Sequence, residues 1–363
     1  MYAPGRRWRP QEKPTNPSNN HLTIKKEYFI MKKVISLVLS VMMMLTMFAG
    51  CRASGTAETA ADTTPAAQEF NVAIVQQLDH ASLDEIRTAI VAQLQAQAEE
   101  KGVKVNIQEF NGQNDATVLN QIGAQVVGDG VDLIIPIATL AAQCMVTAAD
   151  GTDIPIVYAA ISDPEAAGLT GLSNVTGTSD ALNTAFILDM MLAANPDIKT
   201  VGLLYSNSEA NSTTPIAEAK AYLQKKQIDF VEKTGNTSGE IVEAAASMVG
   251  RVDAVFTPTD NVVMAAEVTV AETLNEAGIP HYTGADSFVA AGAFATCGVN
   301  YTELGTYTAD MAMDILLGGA VPEFHVMDGG IITVNTETAA TLGIDYSAFA
   351  SMANTVVEVK TGE

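Results

Sequence analysis

Beyond residue 70 the chain alternates short β-branched runs with longer amphipathic stretches, and this order limits the fold more than any other feature. Two parallel strands cannot be joined by a tight turn and need a crossover, usually a helix, so the pattern specifies parallel α/β architecture. Phe70 to Val75 reads as a first strand. Ser82 and Glu85 read as a capping box ahead of Leu83, Ile86, Ile90 and Leu94, an apolar face at helical spacing. A strand over 103–109, a helix over 116–127, a strand over 132–137, a helix from Thr139 and a strand over 154–160 follow. From Thr200 the series repeats: strand 201–205, helix 214–226, strand 228–233, helix 240–249 and strand 254–257. Gly130-Val131-Asp132-Leu133-Ile134-Ile135 is echoed by Arg251-Val252-Asp253-Ala254-Val255-Phe256. The repeat predicts two similar lobes, each a doubly wound parallel sheet. A strand over 280–284, a segment over 293–299 and a helix over 302–317, closed by Gly318-Gly319, complete the pattern.

Ahead of these segments, Met31-Lys32-Lys33 leads an uncharged run from Val34 to Gly50 that ends in Phe48-Ala49-Gly50-Cys51. A cationic start, a short apolar core and small residues before a thiol read as a lipoprotein signal over 31–50, with Cys51 as the lipid attachment site. The run falls short of the roughly 20 apolar residues a membrane-spanning helix needs. Phe48 stands where Leu is usual. Residues 51–69, rich in Ala, Thr, Ser and acids, read as a flexible tether. Residues 1–30 fit nothing in this scheme and read as an upstream extension, since codons for Lys25-Lys26-Glu27 can mimic a ribosome-binding site before Met31. The expected location is outside the cytoplasm, lipid-anchored to the outer face of the cell membrane.

Of 19 basic and 42 acidic residues, eight and two lie in residues 1–50, leaving 11 against 40 and a net charge of −29. Such a field repels nucleic acid and anionic membrane surfaces, so partners are small molecules or proteins. With 48% hydrophobic and 17% charged residues the chain can bury sizeable cores. Cys144 and Cys297 leave a disulfide or two buried free thiols open, with free thiols expected.

In open parallel sheets, ligands sit beyond the carboxyl ends of the strands. The loops there carry Leu78, Asp79 and His80; Thr139, Leu140 and Gln143; Ser162 and Asp163; and, on the connecting stretch, Ser179 and Asp180. The second lobe supplies Glu209, Asn211 and Ser212, then Thr259, Asp260 and Asn261, then Asp286. Six acids stand in these loops with no Lys or Arg; Arg87 lies a turn inside the first helix. A dianion would have no cation to pair with, and burying an unpaired charge is costly. An ammonium group fits, with Asp260 as its leading partner, and one carboxylate can rest on the helix start at Thr139 to Ala142. A zwitterion satisfies both, while some of the six acids are expected only to cap helices. Tyr158, Tyr205, Phe256, Tyr282 and Phe288 lie near strand ends, where each can either stack on a ligand or pack in the core.

No nucleophile elbow, H-E-x-x-H or phosphate loop is present. The adjacent Asp79 and His80 do not orient one another as a triad needs, and His281 and His325 lack metal-ligand spacing, so no catalytic group, metal or cofactor is expected. A binder of nucleosides or sugars, and an extracytoplasmic enzyme resting on Asp79-His80, remain as alternatives.

Six motifs in order bear a wider resemblance: Gln77-Leu78-Asp79-His80, Ile137-Ala138-Thr139, Ser162-Asp163-Pro164, Asn174-Val175-Thr176-Gly177-Thr178-Ser179-Asp180, Glu209-Ala210-Asn211-Ser212 and Pro258-Thr259-Asp260-Asn261. As a set they resemble the substrate-binding lipoproteins of ABC transporters of the tryptophan/tyrosine type. That resemblance implies a type I periplasmic-binding-protein fold, two lobes joined by three crossovers, with 70–176 and 292–319 in the first and 177–291 and 320–350 in the second. It further implies an aromatic amino acid as ligand, a membrane permease as partner, and a monomer. Leu140 stands where that family usually has Pro, and it retains an N–H that Pro lacks.

Overall fold

The computed structural model describes residues 68–362; the leader, Cys51 and the tether through residue 67 lie outside them. Val72 to Gln76 of β1 (Glu69–Gln76) are buried without a break, as a strand covered on both faces requires. β1 pairs in parallel with β2 (Lys104–Asn111) and β3 (Leu133–Ile137), and β4 (Ile156–Tyr158) and β5 (Val175–Ser179) extend the sheet. Between them run α1 (Ala81–Lys101), α2 (Ala116–Asp129) and α3 (Thr139–Ala148). α1 buries Leu83, Ile86, Ile90 and Leu94 on one stripe, each side chain contributing about 1.5–3 kcal/mol. The helix ends where Gly102 turns left-handed at φ 65° and its N–H bonds the carbonyls of Ala98 and Glu99.

The second lobe opens with α4 (Thr184–Ala194). It continues through β6 (Thr200–Tyr205), α5 (Thr213–Lys226), β7 (Asp229–Thr234), α6 (Ser238–Ala246), β8 (Ala254–Thr257), α7 (Asn261–Met264), α8 (Glu267–Glu276), β9 (His281–Thr283), α9 (Asp286–Ala290) and β10 (Ala295–Gly298). The chain then returns to the first lobe as α10 (Tyr301–Leu316), packed along α1, and β11 (His325–Val326), paired with β5. It crosses back for β12 (Ile331–Asn335), α11 (Thr336–Leu342) and β13 (Thr355–Val359). The sheet orders are β11-β5-β4-β3-β1-β2 and β13-β12-β10-β9-β8-β6-β7, parallel throughout except between β10 and β12. Two lobes with three crossovers result.

Sheet membership corrects the expected lobe boundaries. β5 stays in the first sheet through Ser179, so the first crossover falls beyond residue 177. β10 pairs with β9 and belongs to the second sheet, whereas 292–319 had been assigned whole to the first lobe. β11 belongs to the first sheet, although it lies within the 320–350 stretch expected in the second. The capping box is also corrected. His80 occupies the N-cap of α1 without a side-chain cap, and the Ser82 hydroxyl, a residue inside the helix, meets the Ser287 hydroxyl of the other lobe. Cys144 and Cys297 are both free and buried, on α3 and β10. Among the described residues no helix is long and apolar enough to cross a membrane.

Candidate functional site

Loops from both lobes wall one space, closed down to a free interior of about 20 Å3. That is room for about one water, so a larger ligand enters only when the lobes part. Of the residues expected there, His80, Thr139, Ser162, Asp180, Asn211, Thr259, Asp260 and Asn261 line it. No Lys or Arg does among the described residues. Arg87 is held behind the wall, its Nε donating to Gln76 Oε1 at 3.0 Å and its Nη1 to Glu109 at 2.5 Å.

The first-lobe wall is built at a strained turn. Ala138 sits at φ 74°, ψ 162°, a region nearly reserved for glycine and worth about 1–3 kcal/mol of strain. Its N–H donates to the Ala159 carbonyl and its own carbonyl accepts from Ala142, both at 3.0 Å, so the conformation is locked. The turn brings the start of α3 to the space, where the Thr139 hydroxyl is buried without a partner. Ala160, at φ 56°, lines the same wall.

Among the described residues five side-chain bonds span the lobes. Gln77 Nε2 donates to Glu209 Oε1 at 2.9 Å, His80 Nε2 meets Asn261 Oδ1 at 2.9 Å, and Thr214 donates to Asp163 at 2.7 Å. Ser162 and Thr259 share a 3.0 Å bond, and Ser82 touches Ser287. The lobes are closed on one another.

The acids divide by what already bonds them. Asp260 accepts from Ser206 N at 2.7 Å, Ser212 Oγ at 2.6 Å, Val262 N at 3.1 Å and Val263 N at 3.0 Å. Its four lone-pair positions are filled, which makes it the cap of α7 rather than the open partner expected for an ammonium. Asp180 accepts only from Ser162 at 3.0 Å and Tyr301 at 3.1 Å among other side chains, and keeps capacity facing the space. Burial raises its pKa above the ordinary carboxylate range, partly offset by those two bonds. Glu209 is pushed up to about 7 by burial and by the charge of Asp260. Asp286 is pushed up to about 6 by burial and then by Glu85, and its Oδ1 has no partner. Two buried carboxyls, Asp180 and Asp260, therefore line a space that no Lys or Arg lines among the described residues, while Glu209 and Asp286 stand outside its lining.

The remaining expected residues stand outside the lining. Leu78 packs on the core, and exposed Asp79 accepts from Gln76 at 3.3 Å. The Leu140 N–H, expected free for an anion, is donated to Gln77 Oε1 at 3.1 Å. Gln143 donates to the Ala167 carbonyl, Ser179 accepts from Ala181 N, Ser212 braces Asp260, and Asp163 caps its turn through Ala166 N. Of the aromatics only Phe288 reaches the space; Tyr158, Phe256 and Tyr282 are core residues, and Tyr205 donates to Glu232 at 2.9 Å. Ser82, Leu83, Met264, Ala285 and Tyr301 also line it and were not foreseen. Leu83 and Met264 stand three residues after His80 and Asn261, so helical spacing alone could have placed them.

Residues 71–357 match the family described as ABC transporter substrate binding protein. Over 320 residues the chain is 31% identical to the tyrosine-binding protein of Clostridioides difficile (strain R20291), spanning 86% of this chain and 92% of that one. An ABC domain in complex with L-Trp from Streptococcus pneumonia is 31% identical and superposes with a TM-score of 0.74, over 80% of this chain and 100% of that one. A ligand-free, open substrate-binding protein with adhesive properties from Clostridium difficile is 33% identical, over 80% of this chain and 99% of that one, yet its TM-score is 0.61. The better fit to the liganded structure, despite the slightly lower identity, accords with the five bonds across the cleft.

Proposed function

Because the chain belongs to the ABC transporter substrate-binding protein family and carries its type I periplasmic-binding-protein fold, we propose that it binds one zwitterionic, aromatic amino acid between its lobes for uptake by a membrane permease. The carrying observation is that Asp180 and Asp260 line a space that no Lys or Arg lines among the described residues, so an ammonium supplies the missing charge. Asp180, with spare acceptor capacity, takes the ammonium. The unpartnered Thr139 hydroxyl at the start of α3 takes the carboxylate. Leu83, Met264 and Phe288 form an apolar wall for the side chain, and the names of the relatives, tyrosine-binding and L-Trp-bound, support an aromatic one.

Calorimetry on residues 52–363 tests this, with binding expected at about micromolar strength or better for tyrosine, tryptophan or phenylalanine. The chain's single Trp, Trp8, lies outside that segment, so bound tryptophan reports by its own fluorescence. Heat with a nucleoside or sugar but with no amino acid would end this reading. We further propose that Cys51 carries a lipid and that the protein acts as a monomer at the outer face of the membrane. Cys51→Ala should then leave the membrane fraction, and the untagged segment should sediment as one chain.

A further inference from the structure

We propose that Glu209, acting through Asn261, fixes His80 as a hydrogen-bond acceptor facing the space between the lobes, where it takes an N–H or O–H from the ligand. The ligand half of this rests on the amino-acid reading above; the ring orientation does not.

A line of side chains runs from one lobe into the other. It begins at the Leu140 N–H, which can only donate and lies 3.1 Å from Gln77 Oε1. Gln77 must then aim its amide nitrogen the other way, and Nε2 donates to Asn114 Oδ1 at 2.8 Å and Glu209 Oε1 at 2.9 Å. Ionised Glu209 can only accept, so the Asn261 atom 2.6 Å from its Oε2 is the amide nitrogen. That leaves Asn261 Oδ1 at 2.9 Å from His80 Nε2, and an oxygen acceptor there requires the proton on Nε2. Burial holds the His80 pKa below its ordinary value, opposed by the Asn261 bond and by the charges of Asp84 and Asp79, so the ring is neutral with one N–H. Nδ1 is left as a bare acceptor. It is buried with no protein partner, on a residue that lines the space.

Glu209 is thus a positioning residue, and its isosteric amide should invert the line. In Glu209→Gln one oxygen becomes a donor. Gln77 cannot turn over, because its oxygen is held by the Leu140 N–H, so Asn261 turns instead and presents its nitrogen to His80 Nε2. The ring proton then moves to Nδ1 and the acceptor is lost.

The tautomer can be read by nitrogen NMR on protein labelled at its four histidines, with His80 assigned by His80→Asn. Cross-linking Ser82→Cys to Ser287→Cys, whose parent hydroxyls touch across the cleft, holds the lobes closed without ligand. Measurements are made at pH 8, above the raised range of Glu209. Nε2–H is expected in the cross-linked parent and in Glu209→Asp, and Nδ1–H in Glu209→Gln. His281, held by Glu267 and Thr257, should not change. Nδ1–H in the parent, or one tautomer in both parent and Glu209→Gln, overturns the proposal. Without the cross-link, Glu209→Gln should weaken tyrosine or tryptophan binding about tenfold or more. An inverted tautomer with unchanged affinity would remove the ligand contact from it. A parent that binds no amino acid sinks the reading of the previous subsection, while the cross-linked tautomer still decides this one.

Discussion

Asp180 and Asp260 both lie buried at the mouth of the same space, and their bonding separates their roles. Asp180→Asn should weaken amino-acid binding by about 2–4 kcal/mol with little change in unfolding temperature, because it strips the charge that meets an ammonium and keeps the shape. Asp260→Ala should instead lower stability by at least the 1–2 kcal/mol typical of a lost cap, since two amide donors of α7, Ser206 N and the Ser212 hydroxyl all lose their acceptor. Calorimetry and thermal unfolding on the two variants check both. The sequence puts Asp260 at a strand-to-helix entry and Asp180 on the connecting stretch, but it carries no sign of which one the backbone has already claimed. Capping is decided by where nearby N–H groups point. Tyr301 was illegible for another reason: it reaches the site from a helix whose preceding strand belongs to the opposite lobe.

At the scale of elements, α1 and α10 approach closely because Gly305 has no side chain. A Cβ there would lie 2.6 Å from the Ile86 carbonyl and 2.7 Å from the Ala89 side chain. Gly305→Ala should therefore destabilise the fold by about 1–3 kcal/mol in chemical denaturation, despite the better helix propensity of alanine. The pairing of these helices is not visible in their separate apolar stripes, which specify only that each has something to bury. The strands β1, β3, β6 and β8 were legible because buried apolar runs between helices leave little choice. The two-residue β11 had no pattern to read. The segment that forms β10 falls in the second sheet and not in the expected first lobe, since pairing across a crossover depends on partners far away in the chain.

For the whole molecule the buried carboxyls give a definite pH signature. Glu209 is raised from 4.5 to about 7 and Asp286 from 3.8 to about 6, so both hold protons more tightly in the folded, closed form than in the unfolded chain. Their contribution to stability is full at low pH and is lost as pH rises through that window, so the ligand-free melting temperature should fall between about pH 4 and 7. The ammonium proposed at Asp180 favours the ionised form of these acids outside the lining and so releases protons. Affinity should thus rise with pH over the same range and level off above it, and the binding heat near pH 6 should depend on the ionisation heat of the buffer. A pH-independent affinity would remove the carboxyl cluster from recognition.

The three crossovers bear on how the chain is made. The first lobe lacks α10 and the β11 edge until residue 326 has left the ribosome, by which time nearly all of the second lobe has already emerged. Neither half is a contiguous stretch: the first waits for residue 326 and the second for β12 and β13 beyond it, and these late, long-range pairings make completion slow. A nascent polypeptide of this topology stays open to unfolding and to chaperones for most of its synthesis.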